Sequence, residues 1–168
     1  MQGEKMDLST YNLEELLLAA IKSEIESRHV YQTLADMVKN VFLKDRLTFL
    51  AGEENKHRIF IEGLFRKKFP NKEIVLPDET PVPLPTIQMP GENTLLSEVV
   101  ESAMEAEKAS SEFYSGLADI FDDSSIKKTL QYFAAMEMNH YRILEAELES
   151  IKRFEDFDVE WPMMHVGP

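Results

Sequence analysis

The stretch Leu50-Ala-Gly-Glu-Glu-Asn-Lys-His57 (LAGEENKH) has a counterpart at an offset of 83 residues, Phe133-Ala-Ala-Met-Glu-Met-Asn-His140 (FAAMEMNH). Each copy contains Glu-x-x-His, and residues three apart on a helix project close enough together to reach one metal ion. A single Glu-x-x-His is common in any charged helix. Two copies at a fixed offset indicate a duplicated unit with a ligand pair in each half.

The repeat continues on both sides of these stretches without a gap. Glu24 lies 30 residues before Glu54, and Glu107 lies 30 residues before Glu137. The matched positions are Tyr31/Tyr114, Leu34/Leu117, Ala35/Ala118, Asp36/Asp119, Lys44/Lys127, Leu47/Leu130, Ala51/Ala134 and Glu62/Glu145. Because rare residue types such as His and Tyr recur, we infer duplication of a helical hairpin and a pseudo-twofold bundle.

Four segments have apolar residues at helical spacing, good helix formers and no internal proline. Asn12 with Glu15 fits an N-terminal capping box, and Asp123-Ser124 can cap the last segment. Only a few residues join the first two segments and the last two, so each pair should form an antiparallel hairpin. The predicted helices cover residues 13–39, 43–67, 95–121 and 125–153.

Prolines at positions 70, 77, 81, 83, 85 and 90 exclude a helix between the two hairpins. The segment is either a flexible linker between separate units or the long crossover of a four-helix bundle. A two-helix hairpin buries its own apolar face poorly, which favours the crossover. We therefore expect a single domain over 1–168, divided into a first hairpin (12–67), a crossover (68–94), a second hairpin (95–153) and a C-terminal tail (154–168).

A glutamate interrupts each apolar seam at mid-height: Glu24, Glu54, Glu107 and Glu137. For any one of them, an ordinary position at the edge of the stripe is the better explanation. All four facing one another would repel, and burial would cost several kcal/mol each. No lysine or arginine occupies the seams, but two divalent cations would neutralise the four carboxylates. Neutral histidines could complete the coordination.

One Glu from each of two helices and a Glu-x-x-His from each of the other two is the ligand set of di-iron carboxylate bundles. Over residues 12–153 the sequence resembles the ferritin-like superfamily and, within it, the rubrerythrin family. The resemblance implies an all-α, ferritin-like four-helix bundle that binds two Fe ions, although Zn or Mn could occupy the same ligands. It implies that Glu54 and Glu137 bridge or chelate both irons, that Glu24 and Glu107 are terminal ligands, and that His57 and His140 each cap one iron.

Tyr31 and Tyr114 follow Glu24 and Glu107 by two helical turns on the same face. They are either plain core aromatics or, as the resemblance implies, hydrogen-bond donors that orient ligating glutamates. His29 has no counterpart in the repeat and is expected on the surface, and His165 in the tail has no assigned role. Capping, solvation or a position off the seam accounts for Asp36, Asp119, Glu62, Glu145, Glu26, Glu53 and Glu105.

Two features depart from typical rubrerythrins. The sequence has no cysteine, so it cannot contain the four-cysteine, rubredoxin-like module. Rubrerythrins also carry an additional glutamate one turn after the third-helix ligand, where this chain has Ser110, matched by Ser27. This second departure weakens the expectation of peroxidase chemistry.

Charge limits the classes of partner. Eighteen Lys and Arg residues against 31 Asp and Glu give a formal net charge of -13, which argues against nucleic acid or an anionic membrane as a partner. Because the first residues lack the apolar run of a signal peptide, a cytoplasmic location is expected. The resemblance further suggests a homodimer.

Three functions are compatible with this pattern. The first is a di-iron oxidoreductase of the peroxidase or oxidase type, acting on peroxide or dioxygen and reduced by an external donor such as a rubredoxin. The second is iron binding or ferroxidase activity for iron handling, without repeated peroxide turnover. The third is a structural or partner-binding bundle that holds zinc or manganese.

Overall fold

The computed structural model describes residues 6–160, with side chains described for residues 6–155. Four α-helices and no β-strand occur in this part of the chain, which confirms the predicted all-α, four-helix bundle. None of these helices is both long enough and apolar enough to cross a membrane. The helices are α1 (Leu13–Met37), α2 (Val41–Lys68), α3 (Leu96–Ile120) and α4 (Ser124–Glu160).

Side-chain caps define where the helices begin. The Asn12 side chain accepts a hydrogen bond from the Glu15 amide, and the Glu15 carboxylate accepts one from the Asn12 amide, both at 2.9 Å. The predicted capping box is therefore formed. Before α4, Asp123 Oδ1 accepts the amides of Ser125 and Ile126 at 2.9 and 3.1 Å. These bonds satisfy amides that have no partner within the helix.

The last helix is longer than the sequence pattern suggested. The sequence pattern predicts an end at residue 153 and a tail over 154–168, but α4 continues through Glu160. The cause is local: no helix-breaking proline or glycine occurs between 153 and Pro162. His165 and the rest of 161–168 lie outside the described residues.

Polar residues divide the core into two apolar clusters. Helix α1 packs mainly on α2 and α3 mainly on α4, while α2 also contacts α4. One cluster includes Leu17, Ile21, Phe65, Leu117 and Phe133, and the other includes Leu34, Leu47, Leu50, Val100 and Leu144. Among residues 6–155, the buried charged or titratable side chains outside these clusters are the four seam glutamates and the two histidines.

The proline-rich segment between α2 and α3 contains no helix or strand. Val82 is buried in one apolar cluster and Ile87 in the other. Further along, the Gln88 amide donates a hydrogen bond to Ser102 Oγ at 2.9 Å. The segment therefore runs along the bundle and contributes to both ends of its core.

Candidate metal centre

Six charged or titratable side chains meet in the middle of the bundle. Their exposed fractions lie between 0% and 4%, so solvent does not hydrate them. Each comes from the mid-height of its helix seam, where 3.6-residue periodicity directs it inward. The six are Glu24 on α1, Glu54 and His57 on α2, Glu107 on α3, and Glu137 and His140 on α4.

The six side chains form two overlapping groups of four. In each group, one potential ligand atom per residue lies within 4.8 Å of the others. Glu54 and Glu137 belong to both groups. Glu24 and His57 complete the first group, and Glu107 and His140 complete the second. The geometry is therefore that of two adjacent sites that share two carboxylates.

In both histidines, Nδ1 is the nitrogen that faces the carboxylates. His57 Nδ1 lies 2.9 Å from Glu137 Oε1, and 3.7 Å from an oxygen of Glu24 and of Glu54. His140 Nδ1 lies 3.1 Å from Glu137 Oε2 and 3.2 Å from Glu54 Oε1. The imidazole rings are 5.8 Å apart and inclined by 21°.

Several of these inward-facing atoms make no hydrogen bond. Glu54 Oε1, His57 Nδ1 and Glu137 Oε1 are buried without a hydrogen-bond partner, despite the short distances between them. Buried polar atoms left unpaired in this way cost free energy. Carboxylate oxygens and imidazole nitrogens are suitable ligands for iron, manganese and zinc. The residues present therefore fit a pair of metal ions.

Without metal, the carboxyl groups divide into two classes. Burial and the nearby Glu54 charge raise the pKa of Glu24 and of Glu107 well above the usual range. Burial, and for Glu137 also the Glu54 charge, opposes ionisation of Glu54 and Glu137, but the nearby histidines and neighbouring carboxyl groups outweigh it and lower their pKa. The surroundings thus favour the charged form of the two shared carboxylates and the protonated form of the two outer ones.

The histidines carry the compensating charge. Burial alone would lower the pKa of His57, but Glu137, Glu24 and Glu54 outweigh it and raise the pKa to about 12. Burial would also lower the pKa of His140, but the nearby carboxylates, mainly that of Glu107, outweigh it and raise this pKa. Two imidazolium ions then balance two carboxylates. Metal ions entering this centre must displace these protons.

Two tyrosines connect the hairpins at the centre. Tyr31 on α1 donates a hydrogen bond to Glu107 on α3, and Tyr114 on α3 donates one to Glu24 on α1. Each tyrosine therefore contacts the glutamate of the opposite helix, although it lies two turns from a glutamate on its own. Burial and the adjacent carboxylates raise the pKa of both phenols well above the usual value, so both remain neutral donors.

The rubrerythrin family model matches residues 15–148, a range that contains all six central residues. The chain belongs to the rubrerythrin family. A solved structure, a hypothetical protein from Pyrococcus furiosus, is 35% identical, with a TM-score of 0.77, and the match covers 88% of this chain and 95% of that one. No curated protein matches the sequence.

Other residues considered in this rubrerythrin-family chain lie away from the centre. His29 is exposed. Glu26 pairs with Lys22 at 2.9 Å, Glu62 pairs with Arg58 and Arg66, and Asp119 lies 3.9 Å from Lys127. Ser27 and Ser110 are half-buried. Off the seams, Asp36, Glu105 and Glu145 are exposed and Glu53 pairs with Lys56.

Sequence reasoning did not single out one residue that contacts the centre. The ring of Phe133 packs on that of His57 with centroids 4.2 Å apart. A usable signal existed: position 133 lies one turn before Glu137 on the same face, and its repeat counterpart is the aliphatic Leu50. Comparing such positions between the two halves of a duplicated rubrerythrin reveals where the halves differ chemically.

Replacement of Tyr114 by phenylalanine should weaken metal binding by about 10–100-fold, the usual effect of losing a hydrogen bond to a ligand. The substitution removes the hydroxyl that orients Glu24 and leaves the ring in place. Competition titration with a chromophoric chelator measures the change. Tyr141→Phe, at a half-buried position on α4, is the control, and equal affinity in both variants would show that the hydrogen bond does not support the site.

Proposed function

We propose that this protein is a di-iron carboxylate oxidoreductase that transfers electrons to peroxide or dioxygen. Family membership and the two overlapping groups of ligands support the proposal. One observation carries most of the weight: Glu54 and Glu137 belong to both groups. Shared carboxylates hold two ions side by side, as two-electron chemistry on one small oxidant requires.

Charge balance supports a pair of dications in particular. Four carboxylates can bring four negative charges to the centre, and two divalent ions neutralise them while both histidines remain neutral ligands. With a single dication, two of the four carboxyl groups would have to stay protonated or remain buried without a counter-charge, at a cost of several kcal/mol. The donor set of oxygen and imidazole nitrogen suits iron.

Iron bound here would supply two electrons and open coordination positions for the oxidant. The chain supplies the surroundings. Glu54 and Glu137 would hold the two ions in common, while Tyr31 and Tyr114 hold the outer carboxylates through hydrogen bonds. Burial of all six side chains excludes bulk water, which strengthens every electrostatic interaction in the centre. Neutral phenols at the same place can hold a proton next to a carboxylate.

The electrons must come from outside the centre. Because the sequence contains no cysteine, we assign electron delivery to an external donor protein, such as a rubredoxin. The proposed working form is a homodimer, as the family resemblance suggested.

A second candidate is iron handling, in which Fe(II) is bound and oxidised without repeated reduction of peroxide. The half-buried Ser110 favours it, because related proteins carry an additional carboxylate at this position. The net charge of -13 would also help to attract Fe(II). Both candidates use the same six ligands and differ in turnover.

Anaerobic loading with Fe(II), followed by peroxide in the presence of a reductant, tests the proposal. We expect binding of two irons per chain, rapid oxidation of both by peroxide, and continued peroxide consumption as long as reductant is supplied. Absorbance of the oxidised centre and an independent assay of peroxide follow the two processes.

The possible outcomes separate the functions. Oxidation that stops after a single turnover would favour iron handling. Tightly held zinc with no response to peroxide or oxygen would contradict both redox functions and favour a structural bundle. An apoprotein that binds no divalent ion would contradict the site itself.

A further inference from the structure

Phe133 lies at the centre of a group of aromatic rings beside one of the two histidines. Its ring centroid is 4.2 Å from that of His57, 5.6 Å from that of Tyr114 and 5.2 Å from that of Phe60. Phe133 is 7% exposed, so these contacts exclude water. One ring of the candidate metal centre is therefore in direct contact with a larger aromatic group.

This aromatic group reaches the protein surface through the preceding residue. Tyr132 is 60% exposed, and its ring centroid lies 6.5 Å from that of Phe133. The three rings of Tyr132, Phe133 and His57 form a continuous series from solvent to a ligand of the proposed metal pair. Its outermost member is a phenol, which gives up an electron far more readily than the ring of phenylalanine.

The other half of the repeat lacks this series. The counterparts of Tyr132 and Phe133 are Phe49 and Leu50, so the phenol is replaced by a plain ring and the bridging ring by an aliphatic side chain. Among the described residues, the ring that contacts His140 is that of His57. A structural role common to both halves does not account for a phenol and a bridging ring on one side alone.

We propose that Tyr132 and Phe133 form a one-electron route between the protein surface and the metal ion held by His57. The inference rests on the proposed di-iron function and extends it. The rate of electron transfer between groups in a protein falls exponentially with distance. A redox-active side chain in solvent and a bridging ring against the ligand therefore make this side of the bundle the preferred side for electron exchange with an oxidant in solution.

Each step of the route balances. A one-electron oxidant in solution takes an electron from Tyr132, whose phenolic proton passes to water and leaves a neutral tyrosyl radical. Iron held by His57 would then supply an electron, which would pass through His57 and Phe133 to this radical, and the radical would regain a proton from water. One Fe(II) would become Fe(III), the solution oxidant would be reduced by one electron, and Tyr132 would be restored.

A flash-generated ruthenium(III) polypyridyl complex tests the route, because it is too bulky to enter the bundle and oxidises phenols at the surface. The experiment uses the full chain in a Trp161→Phe background, so that the single tryptophan does not compete. One sample contains Fe(II), and a matched sample contains Zn(II), which cannot be oxidised. Transient absorption follows the tyrosyl radical and the iron, and a nitroso spin trap with peptide mass spectrometry locates the radical.

In the zinc protein we expect a persistent radical on Tyr132. In the iron protein it should decay quickly while one Fe(II) is oxidised. Phe133→Leu, which copies the residue tolerated at the equivalent position 50, should slow iron oxidation several-fold and prolong the radical. Tyr132→Phe should slow iron oxidation similarly and abolish the trapped adduct, whereas Tyr141→Phe on the same helix should change neither.

Iron oxidation at the wild-type rate in Tyr132→Phe would overturn the route, as would a radical located on another tyrosine. Because Tyr132 is exposed, its variant should fold and bind metal even if Phe133→Leu does not. The experiment uses no peroxide, so its result is separate from that of the proposed function. A chain with normal peroxide turnover and unchanged transfer in Tyr132→Phe would contradict the route alone.

Discussion

Replacing Glu54 with alanine should reduce bound metal from two ions per chain to nearly none, because Glu54 belongs to both ligand groups. The variant loses one carboxylate from each site and the charge that holds the ions together. Metal content after anaerobic equilibrium dialysis with Fe(II), measured by mass spectrometry, gives the stoichiometry. His140→Ala removes a ligand from one group only, so at most one ion should remain.

Two control variants test whether the loss is specific to the centre. Glu53→Ala removes the neighbouring carboxylate on α2, which lies off the centre and pairs with Lys56, and should retain both ions. His29→Ala, at an exposed position, should also retain both. Glu54→Gln keeps the side-chain volume and removes the charge, so it separates loss of a ligand from loss of packing. A folded Glu54→Ala protein that still binds two ions would refute the assignment of shared carboxylates.

The sequence sufficed for the helices and for the residues at the centre because both depend on periodicity along one chain. A glutamate at the mid-height of a seam must face the core wherever the other helices lie. The internal repeat indicated which residues belong together, because Glu24 and Glu107, and likewise His57 and His140, are separated by the same offset of 83 residues. The family assignment then required only the spacing of these residues.

The periodicity of the sequence could not predict which side chains of different helices contact one another. Whether Tyr31 would meet Glu24 on its own helix or Glu107 opposite depends on the rotation and crossing of α1 and α3, which no one-dimensional pattern contains. The packing of Phe133 on His57 depends in the same way on the approach of α2 to α4. The end of α4 lies beyond the predicted residue 153, because the apolar pattern that locates a helix does not locate its last turn.

Metal binding should stabilise the protein strongly. Ions that bind only the folded state add about 2.7 kcal/mol per site when free metal is 100-fold above Kd, so two sites give roughly 5 kcal/mol. For a chain of 168 residues this corresponds to a rise in Tm of roughly 10–20 °C. Thermal unfolding followed by circular dichroism, with and without Zn(II), measures it. Glu54→Ala should show almost none of this gain.

The rise in Tm on metal binding should be larger at pH 8 than at pH 6. In the apoprotein the pKa of His57 is raised to about 12, so its protonation stabilises the fold fully below the unfolded pKa near 6.5 and progressively less as the pH rises toward 12. The raised pKa values of His140, Glu24 and Glu107 act in the same direction. Metal requires these groups without protons, so rising pH destabilises the apoprotein and favours the metal-bound form. A metal-dependent rise in Tm that shrank from pH 6 to pH 8 would show that the centre does not bind metal by exchanging these protons.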